Sequence, residues 1–261
     1  MTKEDLASFR QWFSRYCSSF YTDDLADQKN ISLKEEHTGH VCENMRLITG
    51  ELSLEEGLGC LAEAVALFHD VGRFPQYRDY KTFLDSASVN HGLLGFTVLK
   101  EEGILNRLPQ REQGLILDAV KFHNAFSVPR LEDPDSLFIL KLIRDADKLD
   151  IWRVFVEHYE SPSENRATAV FLGFPDLPGY SRDILSCLYE KRIASLAHVT
   201  TLNDFKLLQM SWVYDLNFRP TFRLLSERGY VGRILSTLPH ADEIVQASAH
   251  LRQAIETKLH G

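Results

Sequence analysis

Cysteine is scarce in this chain, and its few copies are scattered. Cys17, Cys42, Cys60 and Cys187 include no close pair, so neither a zinc knuckle nor a CxxC redox motif is available. They read as buried thiols of a reducing compartment. Positive charge is short as well: 29 Lys and Arg stand against 37 Asp and Glu, a net charge of -8. That balance argues against affinity for a nucleic-acid polymer or an anionic membrane surface, and an anionic substrate would need a local source of positive charge. No uninterrupted apolar run approaches membrane-spanning length, and Met1-Thr2-Lys3-Glu4-Asp5 leads into no apolar h-region. The cytoplasm is the expected compartment. Alternation of period two, the mark of a half-buried strand, is almost missing.

Apolar residues at helical spacing are abundant. Of 261 residues, 44% are hydrophobic and 11% aromatic, enough for a substantial core. Leu6, Phe9, Phe13, Tyr16, Cys17 and Phe20 recur every three or four positions and predict a helix over 4–21. Asp23-Asp24 breaks that pattern, and a second helix is expected from about Ser32, with Leu33, His37, Val41, Met45 and Ile48 on one stripe and Gly50 at its end. Ser53 and Glu56 fit a capping box for a third helix running through Leu61, Val65 and Phe68 into His69-Asp70. Gly72 permits a turn there, and Pro75 discourages further regular helix.

The segment 76–90 is polar, with Asp85, Ser86, Ser88 and Asn90 as turn or cap residues. Further helices are expected from His91 to about Gly103, over 110–123, and from Asp135 through an apolar run that carries Asp147 in its interior. Residues 161–180 interleave Pro, Gly and aromatics and read as a long connection, either folding over a site or crossing the surface. Helices near 181–198, 202–217, 221–238 and 241–259 complete the chain. The whole is expected to be one all-α domain over 1–261: a core over 30–160, a connecting loop over 161–180 and a C-terminal helical extension over 181–261.

Within this pattern, Leu67-Phe68-His69-Asp70-Val71-Gly72-Arg73-Phe74 sets an imidazole beside a carboxylate at a helix end. Such a pair can place one side chain on one metal ion and share the second side chain with another ion, because a carboxylate has two oxygens. His37, His91, His123 and Asp147 complete a nitrogen and oxygen donor set suited to Mn, Fe, Co, Ni or Zn, with Mg at a more oxygen-rich position. Ligands drawn from separate helices have no fixed interval, so spacing alone does not establish the set. A single histidine on an apolar face is ordinarily a hydrogen-bonded core residue, and His40, His158, His198, His240, His250 and His260 are read as ordinary surface or core histidines. His40 is the nearest rival to His37.

In their order these residues resemble the HD-domain superfamily of metal-dependent phosphohydrolases. His37 followed by Val41 looks like its first element and Phe68-His69-Asp70-Val71-Gly72 like its signature pair. His91-Gly92-Leu93-Leu94-Gly95 and Phe122-His123-Asn124 look like the extra histidines of the dinuclear members, and Asp145-Ala146-Asp147-Lys148-Leu149 like the closing aspartate. The resemblance implies an all-α HD helical bundle holding two divalent transition-metal ions. His37, His69, Asp70 and Asp147 would hold one, and Asp70, His91 and His123 the other. A water acidified by both would attack a phosphate mono- or diester of a nucleotide or other small phosphorylated metabolite.

Arg73, three residues from Asp70 and four from His69, would point its planar fork at the same mouth and contact substrate. Lys148 would contact substrate too, or pair with Asp145 or Asp150. Two other classes fit the same residues. The donor set also resembles that of the HD-type di-iron oxygenases, which work on a C–H bond, and a nucleotide-binding regulatory module without turnover would use it as well. The oligomeric state cannot be read from these residues.

Overall fold

The structure is a computed structural model that describes residues 1–160 and 173–260. All regular structure among the described residues is helical, as the periodicity predicts. The described residues divide into two compact units, 1–150 and 151–160 with 173–260.

The first unit opens with α1 (Lys3–Ser18), started by a reciprocal capping box in which Thr2 and Asp5 satisfy each other's backbone N–H. Its buried stripe is Leu6, Phe9, Phe13 and Cys17. Phe9 meets Phe68 at 5.2 Å between ring centroids, Tyr16 meets Phe74 edge-on at 5.8 Å, and the Tyr16 hydroxyl donates to the Val71 carbonyl at 3.0 Å. Each such ring pair adds about 0.5–1.5 kcal/mol beyond its burial. The aromatic face of α1 therefore braces the backbone on both sides of His69-Asp70.

Helix α2 (Leu25–Glu51) begins seven residues earlier than the sequence predicts. Asp24 does not interrupt helix; its carboxylate accepts from Ala26 N and Asp27 N, both at 2.9 Å, and caps it. The first turns are polar and Leu25 is exposed, which hides them from an apolar-stripe reading. Gly50 lies inside the helix, and the chain turns at Ser53, whose φ is 54°. That strained position uses Ser53 up, so the expected Ser53–Glu56 capping box does not form, and α3 (Glu56–Phe68) starts after Glu55 with no side-chain cap.

Helix α3 is buried from Cys60 to Phe68 and forms the axis of the unit. Beyond the His69–Gly72 corner the chain re-enters helix at once as α4 (Arg73–Tyr80), through Pro75. Pro75 lies in the first turn, where a backbone N–H has no helical partner to lose, so it does not stop the helix. A 3-10 turn at Asp85–Ala87 leads to Asn90, which caps α5 (His91–Glu101) by accepting from Leu93 N at 2.8 Å. Helix α6 (Gln110–Phe122) and the first part of α7 (Pro134–Glu160) complete the unit.

Two glycines make this packing close enough to build a site. A Cβ on Gly72 would stand 2.2 Å from the His91 carbonyl oxygen and 2.6 Å from Gly95 N. The α3–α4 corner therefore lies directly on the start of α5. A Cβ on Gly92 would stand 2.6 Å from Asn124 Oδ1 and 2.8 Å from the Lys121 carbonyl, so α5 lies equally close to the end of α6.

The second unit takes the rest of α7 with α8 (Arg182–Tyr189), α9 (Leu202–Ser211), α10 (Arg219–Glu227), α11 (Tyr230–Leu235) and α12 (Asp242–His260). Asp204, at the start of α9, accepts from Thr200 N, Thr201 N and Ser181 N. Asn203 Nδ2 donates to the Leu177 carbonyl at 2.9 Å. The bonds to Ser181 and Leu177 fix residues 177–181 to α9. The reading of 161–180 as a connection over a site falls largely on residues 161–172, outside the described residues. No helix of the described residues is long and apolar enough to cross a membrane.

Candidate metal centre

Six side chains from α2, the α3–α4 corner, α5, the end of α6 and α7 converge in the first unit. Asp70 is at their middle, buried, with its two oxygens facing different histidine pairs. Oδ2 lies 3.6 Å from His37 Nε2 and 3.7 Å from His69 Nε2. Oδ1 lies 3.4 Å from His91 Nε2 and 3.6 Å from His123 Nε2. Asp147 joins the first pair, its Oδ1 3.1 Å from His37 Nε2 and 3.7 Å from His69 Nε2. Among the described residues, His37, His69 and Asp70 form one group with metal-holding spacing, and Asp70, His91 and His123 form another. The rival His40 turns away, its Nδ1 on the Glu36 carbonyl of its own helix at 3.0 Å.

Every one of the four imidazoles is oriented from behind. The Nδ1–H of His69 donates to the Ala66 carbonyl at 2.7 Å, and that of His123 to the Val120 carbonyl at 2.8 Å, each the last turn of its own helix. His37 Nδ1 meets Asp150 Oδ2 at 2.6 Å, and His91 Nδ1 meets Asp85 Oδ2 at 2.7 Å. A carbonyl oxygen only accepts, so the inward Nε2 of a neutral ring carries a lone pair. Such outer partners fix both the tautomer and the aim of a metal-binding imidazole.

The electrostatics follow from this packing. Burial pushes His69 down to about 4, and burial together with the Arg73 charge pushes His91 down to about 3, so both rings are neutral. Burial and Lys34 also oppose a charge on His37, but hydrogen bonds to Asp147 and Asp150 outweigh them and raise it to about 9. Burial disfavours the Asp70 charge, yet the Lys34 ammonium and then the Arg73 guanidinium hold its carboxyl well below the usual range. Asp147 is also held low, burial being outweighed by its hydrogen bond from His37 and by the His37 charge.

The donors suit metal ions on an observation independent of family. His91 Nε2 and His123 Nε2 face each other at 3.0 Å, while both Nδ1 atoms are committed elsewhere. With both rings neutral, two lone pairs face each other at that distance, and a cation between them removes the repulsion. Two imidazole nitrogens about 2.1 Å from one ion at a right angle lie about 3.0 Å apart.

The other two expected site residues sit differently. Arg73 does not extend a free fork: its Nη1 donates to the Phe83 carbonyl at 2.6 Å, Gln76 Oε1 at 2.8 Å and Asp85 Oδ1 at 3.0 Å. Its Nε lies 3.6 Å from Asp70 Oδ1. Lys148 turns back along α7, its Nζ 3.5 Å from the Arg144 carbonyl.

Several supporting residues escaped the sequence reading. Lys34, one helical turn before His37, donates to Asp70 Oδ2 at 2.9 Å and lies 5.2 Å from the Phe83 ring centroid. Arg144, buried, donates to the His123 and Ala125 carbonyls. Asn44 Nδ2 donates to the Ala146 carbonyl at 3.0 Å and keeps α2 in register with Asp147. Lys34 and Asp150 share a helix face with a singled-out residue at three positions' distance, a signal that could have found them. Asp85 offered no such spacing.

Compared with known protein families, residues 35–152 match the HD domain. No curated protein and no solved structure matched the chain.

Proposed function

We propose that residues 35–152, which match the HD domain, make this chain a member of that superfamily of metal-dependent hydrolases, and that the protein hydrolyses a phosphate mono- or diester of a nucleotide or another small phosphorylated metabolite. The observation that carries the reading is Asp70, with one oxygen toward His37 and His69 and the other toward His91 and His123. His37, His69, Asp70 and Asp147 would hold one divalent ion, and Asp70, His91 and His123 a second. Bound there, Fe, Mn, Co, Ni, Zn or Mg would supply Lewis-acid polarisation of a phosphoryl oxygen and an acidified water.

The chain's own residues do the rest. Asp150, Ala66, Asp85 and Val120 hold the Nδ1 sides of the four imidazoles and so aim every Nε2 inward, where the neutral rings of His69 and His91 present lone pairs. Burial of His37, His69, Asp70, His91 and His123 keeps bulk water off these donors and strengthens their field. Lys34 is the cation we assign to the substrate phosphate: its ammonium is the closest basic group to Asp70 and its side chain keeps 16% exposure. Arg73 works one step back, ordering the turn at Phe83 and Asp85.

The test is a phosphoester panel of nucleotides and sugar phosphates, offered to protein loaded with Mn(II) or Fe(II). Phosphate release that is lost in Asp70→Ala, with helical circular dichroism retained, is the expected result. No release at full metal occupancy overturns the reading, and so does oxygen uptake by the iron-loaded protein on a polyol or phosphonate in place of phosphate release.

A further inference from the structure

The turn between α4 and α5 carries a carboxylate tied to more partners than a surface turn requires. Asp85 accepts from His91 Nδ1 at 2.7 Å, Arg73 Nη1 at 3.0 Å, Gln76 Nε2 at 2.9 Å and Asn124 Nδ2 at 3.0 Å. These donors come from three helices or helix ends. Its own short 3-10 segment receives no cap from it: Leu84 precedes that turn, and no side chain caps it. Burial alone would disfavour the Asp85 charge, but His91, Arg73 and Gln76 together hold the carboxyl well below the usual range.

We infer that Asp85 is the positioning residue for the half of the centre formed by His91 and His123, and that it sets the affinity of that half separately from the other. The inference rests on the dinuclear reading above. Among the described residues the acceptor for the His91 Nδ1–H is the Asp85 carboxylate, because His91 opens α5 and has no preceding helical turn behind its ring to supply a carbonyl, in contrast to His69 and His123. Asp85 takes that place from six residues upstream. Gln76 is fully buried and fixed by giving Nε2 to Asp85 while its Oε1 takes Arg73, so the carboxylate is itself held. The His37 half has its own carboxylate, Asp150, on α7. The two halves thus share Asp70 but have separate supports.

Asn at position 85 keeps the size and one acceptor but puts an NH2 where Arg73, Gln76 or Asn124 now donates. Asp85→Asn should therefore misaim His91 and leave His37, His69 and Asp147 alone. Outer partners of this kind are worth about 10- to 100-fold in metal affinity.

The experiment titrates metal-free full-length protein with cobalt(II), read by visible absorption and calorimetry, in the wild type, D85N, H91A and D85N/H91A. Two ions per wild-type chain are expected, with D85N weakening one site about 10- to 100-fold, leaving the other at wild-type affinity, and adding nothing to H91A. Wild-type affinity at both sites in D85N, or equal weakening of both, overturns the role of Asp85 while leaving the dinuclear reading in place. Fewer than two ions in the wild type overturns both. If D85N loses its helical circular dichroism, nitrogen-15 NMR of His91 in the metal-free wild type decides: a protonated Nδ1 is expected, and a neutral ring protonated at Nε2 overturns the inference.

Discussion

Gly72 and His91 are packed so closely that a single methyl group cannot come between them. The position of a Cβ on Gly72 lies 2.2 Å from the His91 carbonyl oxygen, and the obstacle is backbone, which cannot rotate aside. Gly72 has an ordinary helical φ of -68°, so its small size is needed for contact and not for conformational freedom. This approach is what brings Asp70 and His91 within 3.4 Å of each other.

Gly72→Ala should therefore cost stability and the centre together. An overpacked core position costs about 1–3 kcal/mol, and a backbone obstacle belongs at the upper end. Urea unfolding should show the midpoint falling at unchanged slope, with metal content below that of the wild type. A variant of wild-type stability and metal content would show that the corner does not need this contact.

Lys34→Ala should separate substrate binding from metal binding. Removing a hydrogen bond to a charged group costs about 1.5–3 kcal/mol, which corresponds to roughly a 10- to 150-fold rise in KM for the phosphoester. Metal content should hold or rise, because Lys34 now neutralises Asp70. Steady-state kinetics with metal analysis on the same sample checks both halves, and Lys34→Arg should restore much of the loss.

The thiols should be silent in the folded protein. Cys17, Cys42, Cys60 and Cys187 are all buried, and burial first, with Glu63 after it, pushes the Cys42 thiol up to about 12. Only the thiolate reacts, and at pH 8 that pKa leaves almost none. A disulfide reagent should find no fast-reacting group in native protein and four after denaturation; a rapid native reaction at Cys42 would contradict its burial.

Metal should stabilise the fold as a ligand that binds only the native state. At free metal about 100-fold above the dissociation constant, each site adds about 2.7 kcal/mol. Thermal unfolding should shift upward with Mn(II) and return with a chelator, and Asp70→Ala should lose most of the shift. An equal shift in that variant would place the stabilising ion elsewhere.

Much of this architecture was legible in the sequence. Helical spacing gave the all-α class, and the stripe Leu6, Phe9, Phe13 and Cys17 is the buried face of α1. The histidines and aspartates picked out by their order do meet in one place. What escaped has physical causes. The first turns of α2 are polar, so their cap at Asp24 looked like a break. Pro75 in a first turn costs a helix nothing, so the stop it implied did not occur.

Lys34, Asp150 and Asp85 are defined by which side chain they touch across the fold, and a linear pattern records touching only when both partners share a helix. Arg73 shows the limit from the other side. Its position near His69-Asp70 was readable, but the use of its Nη1 on Phe83, Gln76 and Asp85 depends on where the α4–α5 turn goes.

The central claim is that Asp70 joins two metal sites, and counting ions tests it most directly. Inductively coupled plasma analysis of wild-type protein equilibrated with Mn(II) and freed of excess should give two ions per chain, and Asp70→Ala with intact helical circular dichroism should give fewer than one. Wild-type protein that retains no ion, or an Asp70→Ala variant that retains two, would contradict the account.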